Sequence, residues 1–213
     1  MSGQKKKLYF AHPVNVYDTP LEEAMMVLIQ HCFPEFGIEN PNQAHHQKAY
    51  AALAQREDAA GTDHRGMEHF TKLTIPDPSC AGCVAMPFLD GCMGLGVAGE
   101  TKTTMELKKL AMFIIPPTIP NPADILAHLQ GFIKNPLNGL FRIREFTDEE
   151  RKLLLEATDL KNNPPRTVVP HQLTRLRTFL YYNVKPVRPY EFSHLVVDLS
   201  LLPPDFYAYE KKK

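Results

Sequence analysis

The residues best suited to chemistry in this chain are two carboxylates, Asp90 and Glu100, with Gly94, Gly96 and Gly99 between them. Cleavage of a glycosidic bond requires such a pair: one group attacks or stabilises the anomeric carbon and the other handles the proton. The glycines allow backbone or ligand to approach closely. The segment Gly94-Leu-Gly96-Val-Ala-Gly99 also satisfies the dinucleotide pattern G-x-G-x-x-G. A true fingerprint of that kind opens the first strand-to-helix turn and has an acid about 20 residues on, at the end of the next strand. Here the glycines follow the third expected strand, and the next strand, Met112 to Ile115, ends in Pro116-Pro117 with no acid. A dinucleotide-dependent oxidoreductase is therefore the weaker reading, and no cofactor is expected.

The other polar candidates each have a plain structural alternative. Tyr9 stands on the first expected strand, where tyrosine is as readily core as functional. His12 ends that strand; it either faces a ligand or bonds a backbone carbonyl. Glu68 lies on a short helix before the third strand, where a solvated charge is the simpler account. His45-His46 would need further ligands at a set spacing to hold a metal, and Cys80-x-x-Cys83 has no partner motif, so no metal site is expected. No G-x-S-x-G, Walker, H-E-x-x-H or catalytic-cysteine signature is present.

The elements that must position these residues alternate. Lys7 to His12 reads as a strand stopped by Pro13. Thr19 is an N-cap, with Pro20 at the first helical position and Glu22 and Glu23 in the first turn, so residues 20 to 32 should be helix. Phe36 to Glu39 reads as a second strand ending at Asn40-Pro41. Helix-forming residues run from Asn42 to Glu57, a loop from Asp58 to His64, and a short helix from Met67 to Leu73. An apolar strand over 83 to 88 leads into the glycines, and a helix over about 97 to 110 would present Glu100 in its first turn. Strand Met112 to Ile115 follows, and then a proline-rich break to Pro122.

The order βαβααβαβ argues for a parallel sheet with helices on both faces. Right-handed crossovers would bring His12, Asn40 and Asp90 to one edge. Beyond residue 122, the sequence predicts a helix over Ala123 to Phe132, a short strand over Leu140 to Arg144, and a helix opened by the capping box Thr147-x-x-Glu150. We divide the chain into an α/β domain over 1–122 and an irregular extension over 123–213 that packs on the domain or on a neighbouring subunit.

Composition narrows the class. The 213 residues are 44% hydrophobic, and 24 basic residues balance 24 acidic ones. A neutral chain gives no support for nucleic-acid binding. Lys5 to Lys7 and Lys211 to Lys213 read as solvated ends. No apolar run reaches the length of a membrane span, and no signal peptide is evident, so a cytoplasmic protein is the expectation.

Taken together, Lys7-Leu-Tyr-Phe-Ala-His-Pro, Asn40-Pro-Asn, Met67-Glu-His-Phe, Val84-Ala-Met-Pro-Phe-Leu-Asp-Gly and Gly94-Leu-Gly-Val-Ala-Gly-Glu resemble the nucleoside 2-deoxyribosyltransferase-like superfamily over residues 7 to 116. The resemblance implies a flavodoxin-like (Rossmann-like) fold and transfer or hydrolysis at the N-glycosidic bond of a nucleoside or nucleotide. It implies Glu100 as nucleophile, Asp90 as the group assisting the base, and Tyr9 as the residue orienting the glutamate. It also implies a substrate-binding set of His12, Glu68, Gly94, Gly96 and Phe10, and a homo-oligomer. This chain departs from the family in three places: His12 stands where small residues are usual, Glu68 stands where Asp is usual, and the spacing from Asp90 to Glu100 is long. A non-catalytic nucleotide-binding or sensing module on the same fold is the alternative.

Overall fold

The computed structural model describes residues 5–13, 16–54, 65–87, 93–117 and 124–156. Asp90, the expected loop over 58–64, most of the proline-rich break and the chain beyond residue 156 lie outside the described residues.

The described chain is an α/β structure built on one five-stranded sheet of order β2-β1-β3-β4-β5. Strands β1 (Lys7–Ala11), β2 (Gly37–Glu39), β3 (Cys80–Ala85) and β4 (Leu110–Ile115) are parallel, and β5 (Arg142–Glu145) pairs antiparallel with β4. This is the strand order of flavodoxin-like sheets. The expected extension therefore supplies the fifth strand of the sheet.

Side-chain alternation along the strands builds two cores. Leu8, Phe10, Val84, Met112 and Ile114 face helices α1 (Pro20–Cys32) and α5 (Ile125–Lys134). Tyr9, Ala11, Cys83, Ala85, Ala111 and Phe113 face the opposite layer. That layer holds α2 (Ala44–Ala54), α3 (Arg65–Glu68), α4 (Leu95–Glu106) and α6 (Asp148–Glu156). Among the described residues, no helix is long and apolar enough to cross a membrane.

The expected caps are in place. Thr19 Oγ1 accepts from the Glu22 amide at 3.3 Å. At α6, Glu150 N donates to Thr147 Oγ1 at 3.2 Å, and Thr147 N donates back to a Glu150 carboxylate oxygen at 2.8 Å. Glu150 also holds Arg144 of β5 through two bonds of 2.7 Å, which fixes α6 against the sheet edge.

Three boundaries depart from expectation. β3 begins at Cys80 because Gly82 lies so close to β4 that a Cβ there would stand 2.0 Å from the Leu110 carbonyl oxygen. The short helix before β3 is α3 followed by a π-helical turn over His69–Thr74, closed by Ile75 N donating to Phe70 O at 2.9 Å. Helix α4 starts at Leu95, capped by Gly94, and stops at Glu106, before the left-handed Lys108 (φ 54°).

Candidate active site

In a sheet of this order, successive connections leave β1 and β3 toward opposite faces. The crevice outside the carboxyl ends of those two strands is where such folds bind ligands. Here that end carries His12 and Pro13 after β1, Met86 and Pro87 after β3, and the first turns of α4. Glu100 stands in the second turn of α4, and the first turn of that helix contains no acid. The expected first-turn position is thereby corrected: Glu100 lies too far along α4 to serve as a dipole-complementing cap.

Tyr9 lies in register with Cys83 across the β1–β3 pair and faces α4. Its phenol donates a hydrogen bond of 2.9 Å to Glu100 Oε1. Glu100 is 6% exposed, and among the described residues its carboxyl has no ion-pair partner. Burial pushes its pKa up to about 8, and the Tyr9 bond only partly offsets that rise. Burial, followed by the nearby Glu100 charge, raises the phenols of Tyr9 and Tyr17 as well. Burial likewise pushes the Cys83 thiol up to about 12, leaving it an inert core group. Tyr17 is partly exposed and joins the site from the loop before α1; the sequence reading assigned it no role. The arrangement is a nearly neutral carboxyl, oriented through one oxygen by a tyrosine donor, on a buried sheet face.

The remaining expected residues fall in different surroundings. His12 is buried with both ring nitrogens engaged: Nδ1 lies 2.8 Å from Phe10 O, and Nε2 lies 2.9 Å from Glu22 Oε1. Its ring stacks on Phe10 at 4.0 Å. Phe10 belongs to the core on the α1 side, on the sheet face opposite Tyr9 and Glu100, so alternation along β1 separates the two neighbours. Gly94 caps α4 in an extended conformation. Gly96 is helical and lies against Met67, whose Cε would be 3.4 Å from an added Cβ, so close helix packing uses the space this glycine leaves. Glu68 points to solvent and pairs with Lys72 one turn along.

The expected meeting of the β1 and β2 ends does occur, and Glu22 makes it. Its Oε1 accepts from Asn40 Nδ2 at 3.0 Å as well as bonding His12, and its Oε2 accepts from Asp18 N at 2.7 Å and Asn42 Nδ2 at 3.2 Å. Burial raises the Glu22 carboxyl, but these bonds outweigh that and hold it below its usual range. The Asn-Pro-Asn segment marked this place in the sequence, whereas Glu22 read there only as a first-turn acid.

A second polar cluster lies next to Tyr9 on the same sheet face. Glu39, the β2 partner of Tyr9, receives Lys7 Nζ on Oε2. Its Oε1 lies 2.7 Å from His46 Nε2 and 3.3 Å from His45 Nε2. His46 Nδ1 in turn lies 2.7 Å from His69 Nε2. The Phe70 ring packs against Tyr9, His46 and His69, and stands between this cluster and the Tyr9–Glu100 pair. The sequence reading found no further ligands for His45-His46. The fold brings a carboxylate from β2 and an imidazole from the π turn to this pair, at separations that no spacing motif encodes.

Comparison with family models, with curated proteins and with solved structures finds no match to the chain.

Proposed function

We propose that the protein acts on the N-glycosidic bond of a nucleoside or nucleotide, with Glu100 as the nucleophile. The observation that carries this reading is the buried 2.9 Å bond from the Tyr9 phenol on β1 to Glu100 Oε1 on α4, the helix that follows β3. The bond turns the carboxyl and occupies one oxygen, which leaves Oε2 to attack. In the proposed reaction the ionised form of Glu100 attacks: Oε2 forms an ester with the anomeric carbon as the bond from that carbon to the base nitrogen breaks. The base leaves with a proton from Asp90, and water or a second base then displaces Glu100. Hydrolysis and transfer differ only in that last partner.

The test is incubation of the full chain with a panel of ribo- and deoxyribonucleosides and their 5′-monophosphates, with and without a second free base, followed by chromatography. Base release or exchange by the wild type, lost in Glu100→Gln, is expected. A panel with no base released or exchanged would overturn the proposal.

The burial of Glu100 favours a second reading. A carboxyl held neutral at pH 7 can donate a hydrogen bond to a base or sugar, and the domain would then bind a nucleotide without turning it over. Nucleotide-induced thermal stabilisation in the same panel, without product, would support that reading.

A further inference from the structure

We propose that Glu39 Oε1, His45 Nε2 and His46 Nε2 form a binding site for a divalent transition-metal ion of the zinc class, with His69 as the outer partner of His46. The three donor atoms lie within 4.8 Å of one another. A tetrahedral ion with bonds of about 2.0–2.1 Å separates its ligand atoms by roughly 3.3 Å. The Glu39–His45 separation of 3.3 Å already has that value, and the Glu39–His46 separation of 2.7 Å must open by about 0.6 Å. Two imidazoles and a carboxylate suit zinc, cobalt or nickel better than magnesium or calcium, which take oxygen donors.

The surroundings are those of a ligand set. A metal-bound histidine ordinarily donates its other ring N–H to a fixed acceptor, which sets its tautomer. His69 Nε2, 2.7 Å from His46 Nδ1, is in that position. Without an ion, His69 Nε2–H donates to His46 Nδ1, and His46 Nε2–H donates to Glu39. With an ion on His46 Nε2, His46 Nδ1–H donates to His69, so both rings exchange tautomers and the pair loses no proton. Lys7 occupies Oε2 and leaves Oε1 for the ion.

Three protein donors leave a fourth position for water or a ligand atom. The His45 side chain is 63% exposed, which gives the ion a route in from solvent. A cavity of about 300 Å³ adjoins the site, lined in part by Glu39, His46, Lys7 and Cys80. The site rests on these side chains alone and stands whether or not Glu100 is a nucleophile.

The test uses the full chain, stripped with a chelator and titrated with Zn²⁺ against a chromophoric competitor. One ion per chain is expected. Binding should weaken at least tenfold in His45→Ala, whose exposed ring can be removed without touching the core. It should be lost in Glu39→Gln and unchanged in His128→Ala, a control on α5. Co²⁺ should give the visible d–d bands of a four-coordinate site in the wild type and not in His45→Ala, a readout independent of Glu39→Gln folding. A wild type that takes up no ion, or a His45→Ala protein that binds Zn²⁺ and Co²⁺ as the wild type does, would refute the proposal.

Discussion

Replacing Glu100 with glutamine separates the electrostatics of the site from its packing. Glutamine keeps the shape, and its carbonyl oxygen can accept from Tyr9 at the place where Glu100 Oε1 does. It leaves a buried amide N–H pair in need of partners, at a cost of about 1–3 kcal/mol that does not vary with pH. What changes with pH is the ionisation of Glu100. Its pKa is 4.5 in an unperturbed chain and about 8 in the fold. The native state therefore holds this proton more tightly than the unfolded state, and stability falls as pH rises from 4.5 to 8 and is level above that. The ionisation costs the wild type about 1 kcal/mol at pH 5, about 3 at pH 7 and about 5 at pH 9.

The stability of Glu100→Gln relative to the wild type should therefore climb by about 2 kcal/mol between pH 5 and pH 7, and by about 4 between pH 5 and pH 9. Glu22, Glu39 and Glu150 have lowered pKa values and give the opposite slope in acid, but both proteins contain them, so the difference is blind to them. Urea unfolding at four pH values, followed by circular dichroism, measures it. Stability curves that run parallel from pH 5 to pH 9 would show that Glu100 is solvated or paired in the native state, and the argument from its burial would collapse.

Tyr9→Phe removes a bond that favours the ionised form of Glu100, so the pH midpoint at which base release rises with Glu100 ionisation should move up by about one pH unit or more, while the unfolding midpoint moves less than in a core truncation. Unchanged pH–rate profiles would show that the phenol does not act on the carboxyl. Gly82→Ala drives a Cβ to 2.0 Å from the Leu110 carbonyl oxygen, and a backbone atom cannot move aside without breaking the β3–β4 pairing. A loss of about 3 kcal/mol or more in urea unfolding, or a failure to fold, is expected. Thr19→Ala removes the acceptor for the Glu22 amide and should cost about 1 kcal/mol; a cost near zero would mean that the Glu22 network alone fixes the start of α1.

The sequence was most legible where one residue carries a local rule. Thr19-Pro20 began α1 where expected, and Thr147-x-x-Glu150 formed the capping box expected of it. The alternation of strands and helices led to the sheet, because each apolar run is long enough for one buried strand. Legibility failed where glycine serves packing between elements. Gly82 precedes the strand expected over 83 to 88, yet it lies inside β3 and lets β4 approach; Gly96 precedes the helix expected from about residue 97, yet it lies inside α4. Glycine is a poor helix former, but the space that Gly96 leaves is taken by Met67. The Glu39–His46–His69 chain was illegible for another reason: its members come from three elements, and only the tertiary fold brings them together.

Glu100 itself poses an energetic conflict that bears on the proposed chemistry. Burial with no cation paired to it among the described residues makes its carboxylate costly in the free protein, and Tyr9 offsets only part of that cost. A group meant only to stabilise the fold would need no ionisable carboxyl, and glutamine would fill the same space. For a nucleophile at an anomeric centre the same cost is useful. Positive charge develops on the sugar in the transition state, and a carboxylate with no other cation nearby gains most from that charge. Interactions stronger in the transition state than in the ground state are those that accelerate a reaction. On this argument Glu100 should ionise more readily with a cationic sugar mimic bound than in the free protein. Its apparent pKa, read from the pH dependence of the mimic's affinity, should then fall below 8, whereas a neutral sugar of the same shape should leave it in place.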